Sequence, residues 1–449
     1  MGPRNSRRAE LTIRNPPSEG NADPHGGNSQ RLVLHSDLSV QASRAEYPST
    51  VLEVPGSNAP KPDGGRPIRE YEGSGGLVLF RRDLDGWIDA HRSELLERIE
   101  GSSLMDEVVR TRRNQRLLWD AGWLRCGWPL SVGGFGGSAI VRSAVSEVVS
   151  INRLVHGTVF AVTEVLVPSV ITASPRLAES YAKDFLNGTE GWCQGFSEPD
   201  AGSDLASLRC RAVDEGDDYW VVSGQKIWTS YAQFASKMLL LARTGTTESR
   251  HRGITAMLLD MESEGVTVRP LNAITGEEEF SETFFDDVRV PKNRLVGELN
   301  GGWGVAMSML RSERGPIFWM LSAWVLGEFE RLLDSVGVTG EDDEIVGHAL
   351  ASIAGLRARS WTTQHRAALD IVQIPETSID KILMASCEQE LFDMALSLLD
   401  GRVEFGDDDA ARAWRAEYMY SRAATIYGGT AEIQRNIVAD QLLGLRSLG

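Results

Sequence analysis

The spacing of apolar residues changes twice along this chain, and those two changes constrain the fold more than any other feature. From about residue 79, LFRRDLDGWIDAHRSELLERI and EVVRTRRNQRLLWDAGWL place apolar residues three and four apart, the period of one helix face. AIVRSAVSEVVSINRLV and PRLAESYAKDFLNG continue that spacing, with WPLSVGGFGGS (128–138) as a loop before them. Near residue 190 the period shifts. YWVVSGQKIW, SKMLLLART, ITAMLLDM, VTVRPL and SETFFDDVRV are short, rich in β-branched and aromatic residues, and punctuated by Gly and charged turns, so they predict strands. Gly224-Gln225, in the middle of the alternating residues of SGQKIWTSYAQFASKMLLLART (223–244), predicts a hairpin turn. After PKNRLVGELNGGWG the helical spacing returns, predicting helices over about 303–334, 342–373, 375–400 and 408–424, and a last one from about 430.

Helices, a β insert and helices again define an α+β chain. Residues 1–75 stand apart, because RNPPSEGNADPHGGNSQ and PGSNAPKPDGGRP are rich in Pro, Gly, Asn and Ser. Such a segment buries too little apolar surface to offset its ordering entropy, which predicts a mostly disordered extension. The expected domains are then 76–189 (helical), 190–298 (β) and 299–449 (helical bundle).

Composition narrows the function. A formal net charge of −17 argues against a nucleic-acid backbone as the main partner, while leaving room for an anionic ligand in a local basic pocket. Cys126, Cys193, Cys210 and Cys387 are far apart and form no CxxC pair, so neither a disulfide framework nor a metal site is expected. The apolar run PIFWMLSAWVLG (316–327) is shorter than the roughly 20 residues a membrane span needs. No apolar stretch of signal-peptide type follows the basic N-terminal residues. A soluble, cytoplasmic protein is expected.

Three clusters carry chemistry. WCQGFSEPDAGSDLASL (192–208) is a loop leaving a strand, with backbone amides and hydroxyls able to bind a polar heterocycle or phosphate, although such punctuation is more often a plain turn. In SGQKIWTSYAQFASKMLLLART (223–244), alternation places Trp228 and Ser230 on one strand face. An indole beside a hydroxyl suits one side and one edge of a flavin, and a core Trp is the plainer alternative. In ATIYGGTAEIQRN (423–435), Thr430 can cap the last helix, whose N-terminus favours an anionic or carbonyl oxygen.

Taken together, these clusters resemble the acyl-CoA dehydrogenase family. SEPDAGSD resembles its Glu-Pro-Gly-Ala-Gly-Ser-Asp loop, GQKIWTS its Gly-Gln-Lys-x-Trp-Ile-Thr segment, FFDDVRVPKNRLVGELNGGW its β-domain exit and IYGGTAEIQR its C-terminal loop. The resemblance covers about residues 79–447, and the loss of other family motifs places the chain in a divergent bacterial branch. It implies the acyl-CoA dehydrogenase fold: an N-terminal helical domain, a central β domain and a C-terminal four-helix bundle, with FAD between the last two. Residue by residue, it implies Phe196 and Ser197 at the flavin edge, Ser203 near the thioester ligand or FAD, Trp228 over the flavin and Ser230 near N5. Thr430 and Glu432 would sit near the ribityl or diphosphate region.

The implied reaction is α,β-dehydrogenation of an acyl-CoA thioester, with electrons passed to an electron-transfer flavoprotein. Many members carry the proton-abstracting Glu directly after the loop tyrosine, where this chain has Gly428. Gly428 can still offer its N–H to the thioester carbonyl. Other members carry the base on the first long C-terminal helix, where Glu313 of GVAMSMLRSERGPIFWM falls at the matching position. Glu313 is therefore the expected base. Phe318, Trp319 and Trp324 either shape the acyl pocket or fill the core. The family's Arg-x-x-Phe-Gly and Phe-Gly-Gly-Asn-Gly stretches are absent from 332–350 and 399–414. That leaves a homo- or hetero-oligomer open, and with it alternatives: a same-fold oxidase, monooxygenase or acyl-carrier-protein dehydrogenase, or a non-catalytic partner subunit.

Overall fold

A computed structural model of the protein describes residues 11–12, 31–32, 60–72, 75–96, 103–216, 218–312, 317–336, 342–368 and 374–445. Most of the extension expected to be disordered lies outside these residues. Within it, β1 (Leu11–Thr12) pairs antiparallel with β2 (Arg31–Leu32).

The extension ends earlier than the composition predicts. Ile68 and Tyr71 are buried in the N-terminal core, and the Tyr71 hydroxyl accepts from Arg66 N at 2.6 Å while donating to Asp83 at 3.2 Å. Pro and Gly mark this stretch as irregular backbone, yet its two large side chains reach a core that local composition does not reveal. Truncation through residue 75 is therefore expected to destabilise the protein, seen as loss of soluble, cooperatively melting material. Tyr71→Phe, which removes only the hydroxyl, should cost about 1 kcal/mol by urea denaturation.

The N-terminal helices are α1 (Gly76–Ala90), α2 (Arg92–Leu95), α3 (Leu104–Asp120), α4 (Ala139–Ile151), α5 (Gly157–Ala173) and α6 (Pro175–Leu186). Ser103 caps α3 in a reciprocal pair with Asp106, and Pro175 opens α6 where its missing N–H costs nothing.

Next come β3 (Trp192–Gly195), β4 (Arg211–Asp214), β5 (Tyr219–Ser230), β6 (Lys237–Arg243), β7 (Ile254–Asp260), β8 (Val266–Leu271), β9 (Phe280–Pro291) and β10 (Leu295–Val296). They form one sheet in the order β10-β7-β6-β4-β5-β9-β8, with β3 paired in parallel to β6. The predicted turn at Gly224-Gln225 is not there. Both residues lie inside β5, whose register against β9 shifts between Val222 and Gly224 and again between Lys226 and Thr229. Gly224 has φ 142°, and a Cβ there would stand 2.7 Å from the Cys210 Cα, so glycine marks a bulge and a close approach instead of a turn.

The C-terminal bundle comprises α7 (Gly302–Ser312), α8 (Phe318–Ser335), α9 (Asp343–Ala368), α10 (Ile374–Leu398), α11 (Arg402–Phe405), α12 (Asp409–Ser421) and α13 (Ala431–Ile437). Both α7 and α8 fall in the range predicted as helix over 303–334, and residues 313–316 between them lie outside the described residues. Phe318 and Trp319 are buried, and Trp324 packs on the bundle core against Phe392. The N-terminal core continues into α7, and α4 lies against α8 and α9, so the outer domains meet directly. All four cysteines are buried and free.

Candidate functional site

The loop after β3 is held from beneath by a buried ion pair. Glu198 accepts from Lys226 Nζ at 2.7 Å, from Arg209 N at 2.6 Å and from Cys210 N at 2.8 Å. Lys226 is fully buried and also donates to the Phe196 carbonyl at 3.1 Å. Removing such a side chain from water is tolerable only with its hydrogen bonds satisfied, so the pair fixes where Phe196 and Ser197 sit. Ile227 N then donates to the Ser197 carbonyl at 2.9 Å, joining this loop to the strand that carries Trp228. Glu198 and Lys226 were not singled out from sequence. Their signal was present, since both lie within the quoted motifs, but only the fold shows that the motifs pair.

Trp228 lies within the second register shift of β5, between Lys226 and Thr229. Its φ is 59°, a strained value for a large side chain, and its indole is 62% exposed beside Phe280. The neighbouring Thr229 points inward, and its buried Oγ1 has no hydrogen-bond partner among the described residues. Ser230 is half-buried on the open side with Trp228. Bulged geometry turns the indole outward, so Trp228 is not a core residue.

The C-terminal loop approaches through tyrosines. Tyr231, directly after Ser230, and Tyr420 of α12 both lie against the Thr158 hydroxyl, and Tyr420 stands 6.2 Å from Tyr427, ring centre to ring centre. Gly428 has φ 62° and its carbonyl accepts from Gln434 Nε2 at 3.0 Å, while Thr430 caps α13 by accepting from Ile433 N at 3.3 Å. Burial holds several nearby carboxyls toward their neutral form: Glu279 and Glu417 are pushed up to about 7 and Glu388 to about 8.

Phe196, Ser197, Trp228 and Ser230 therefore gather at one end of the β domain, linked through Tyr231 and Tyr420 to Tyr427 and Gly428. Ser203 is exposed, and Glu432 reaches outward to Arg435 at 3.7 Å. Glu313 lies outside the described residues. No cluster of His, Cys, Asp or Glu able to hold a metal occurs among the described residues.

An outward indole in strained backbone, a half-buried serine hydroxyl on the same open side and a glycine loop across a row of tyrosines fit a flat heterocycle with polar edges. The fold is that of a chain with a β domain inserted between two helical domains. Residues 193–288 match the acyl-CoA dehydrogenase middle domain and residues 300–443 its C-terminal domain. The chain is 37% identical over 369 residues to the acyl-CoA dehydrogenase IpdE1 of Mycolicibacterium smegmatis, covering 78% of this chain and 92% of that protein. It is 30% identical over 392 residues to FadE26 of Mycobacterium tuberculosis, covering 82% and 96%. Among solved structures, the Tcur3481-Tcur3483 steroid ACAD superimposes with a TM-score of 0.72 at 24% identity, covering 84% of this chain and 99% of that one. The protein belongs to the acyl-CoA dehydrogenase family, whose members are FAD-dependent flavoproteins. Among the described residues no helix is long and apolar enough to cross a membrane.

Trp228→Ala should weaken FAD binding on the order of tenfold, because the stacking surface is lost. A fluorescence titration and the visible flavin spectrum check this. Unchanged affinity and spectrum would remove Trp228 from the site.

Proposed function

We propose that the chain catalyses α,β-dehydrogenation of a bulky acyl-CoA thioester and passes the electrons to an electron-transfer flavoprotein. The observation carrying this reading is the exposed, strained Trp228 joined through Tyr231 and Tyr420 to the Gly428 loop. Bound there, FAD would supply the acceptor for the β-hydrogen. The residues of the chain do the rest. Phe196, Ser197, Trp228 and Ser230 hold the ring. The Gly428 N–H polarises the thioester carbonyl, on whose oxygen charge develops. Glu313 takes the α-proton. Val305, Ala306 and Met309 before it and Ile317, Phe318 and Trp319 after it are buried, and a carboxylate kept from water is a stronger base. A bulky, sterol-derived acyl group fits the company the chain keeps, since one solved relative is named a steroid enzyme.

A second reading has its own support. Ser203 and Glu432, assigned to the cofactor by resemblance, face outward, and Phe405 and Ile426 are exposed at 84% and 64%. Two of the solved relatives carry paired names, Tcur3481-Tcur3483 and the ChsE4-ChsE5 complex. In this reading the chain completes its FAD site only with a partner chain of the same fold. One experiment separates the two. A yellow protein bleached anaerobically by acyl-CoA thioesters supports the self-sufficient dehydrogenase. A colourless protein that binds FAD only beside a second chain supports the heteromer. Rapid reoxidation with peroxide release would mark an oxidase instead.

A further inference from the structure

Glu388 lies on α10 with 2% of its surface exposed, and its Oε2 is 3.5 Å from the Tyr427 hydroxyl. Two turns earlier, the buried Lys381 places Nζ 4.0 Å from the Tyr427 ring centre and donates to the Ala424 carbonyl at 2.6 Å. Gln389 Nε2 donates to the Ser421 carbonyl at 3.1 Å. The approach to the Gly428 loop is thus fixed by α10, as its exit is fixed by Gln434 of α13. A carboxyl this deeply buried in front of a phenol is costly unless it serves the loop it touches.

We infer that Glu388 is a positioning residue: its carboxyl group anchors Tyr427, so that the Gly428 N–H is presented to the thioester carbonyl. This rests on the reading of that loop as the thioester site. Burial is the main cause that raises the Glu388 carboxyl, to about 8. Lys381 opposes it, Glu417 of α12 adds to it, and the Tyr427 hydrogen bond and Arg422 oppose it. Charged groups on the other helices packed against α10 are engaged elsewhere: Arg359 and Arg366 of α9 with Asp380 and Glu376, Glu328 of α8 with Arg331, and Glu432 of α13 with Arg435. Tyr427 donates to this carboxyl, and because that bond lowers the raised value it is stronger to the anion formed above about pH 8 than to the neutral group below it.

The linkage sign follows. A carboxyl raised in the folded state destabilises it progressively as pH climbs from the ordinary carboxylate range to the raised value, because only the unfolded chain releases the proton there. Glutamine cannot titrate but keeps a neutral hydrogen bond. In the full-length protein, the melting temperature of Glu388→Gln should therefore rise relative to wild type as pH increases, levelling off above about pH 8. A difference independent of pH overturns the buried neutral carboxyl.

With FAD-loaded protein and a thioester that bleaches the flavin, Glu388→Ala should slow flavin reduction by roughly 10- to 100-fold at every pH. Glu388→Gln keeps an acceptor for the Tyr427 hydroxyl, so it should retain most of the wild-type rate below about pH 8 and fall behind it above that value, where the wild type accepts the stronger bond to a charged group. Tyr427→Phe offers an independent variant and should slow reduction as Glu388→Ala does. Reduction at the wild-type rate by both Glu388→Ala and Tyr427→Phe overturns the positioning role. Absence of bleaching by any thioester overturns the thioester reading itself, and the positioning role with it, whatever the melting data show.

Discussion

Glu313→Gln should leave FAD and thioester binding intact while slowing flavin reduction by roughly 10²–10⁴-fold, the usual weight of a general base. The amide keeps the shape of the side chain and removes its basicity, so binding and chemistry separate. Anaerobic stopped-flow bleaching reads the rate, and equilibrium titration reads the affinity. Gly428→Glu in the same background places a carboxylate beside Tyr427 and should restore part of the lost rate. Restoration should be incomplete, because the φ of 62° at position 428 suits glycine and strains a larger residue. Near-normal reduction by Glu313→Gln would assign the base to another residue or to a partner chain.

Glu147→Ala should destabilise the protein by about 3–5 kcal/mol, as expected when one partner of a buried ion pair is removed. Glu147, on α4, is 3% exposed and serves three donors. Its Oε2 accepts from Arg81 Nε at 2.8 Å and Trp319 Nε1 at 3.1 Å, and its Oε1 from Arg357 at 2.6 Å. Arg357 is itself buried and lies over the Trp319 ring at 4.3 Å. Alanine leaves this guanidinium uncompensated at the junction of α1, α4, α8 and α9, where the two helical domains meet. Urea unfolding with an unchanged m-value should show the loss. A change below about 1 kcal/mol, the range of an exposed pair, would mean that water reaches the junction.

The sequence by itself determined the order of the domains, because helical and strand periods differ and the switch near residue 190 needs no long-range information. The family resemblance was equally legible, carried by SEPDAGSD, GQKIWTS and IYGGTAEIQR in the right order. Tertiary structure decided what depends on partners far away in the chain. Gly224 looks like a turn residue, yet it is a strand bulge because Cys210 packs against it. Tyr71 sits in a segment whose composition reads as disordered, yet it is fully buried because α1 and the Trp123 turn supply a core around it. Glu147, Lys226 and Glu388 are ordinary charges in a one-dimensional reading. They become an interdomain clamp, a loop anchor and a raised carboxyl only when folding removes their water, since desolvation depends on what packs around a group and not on its neighbours in sequence.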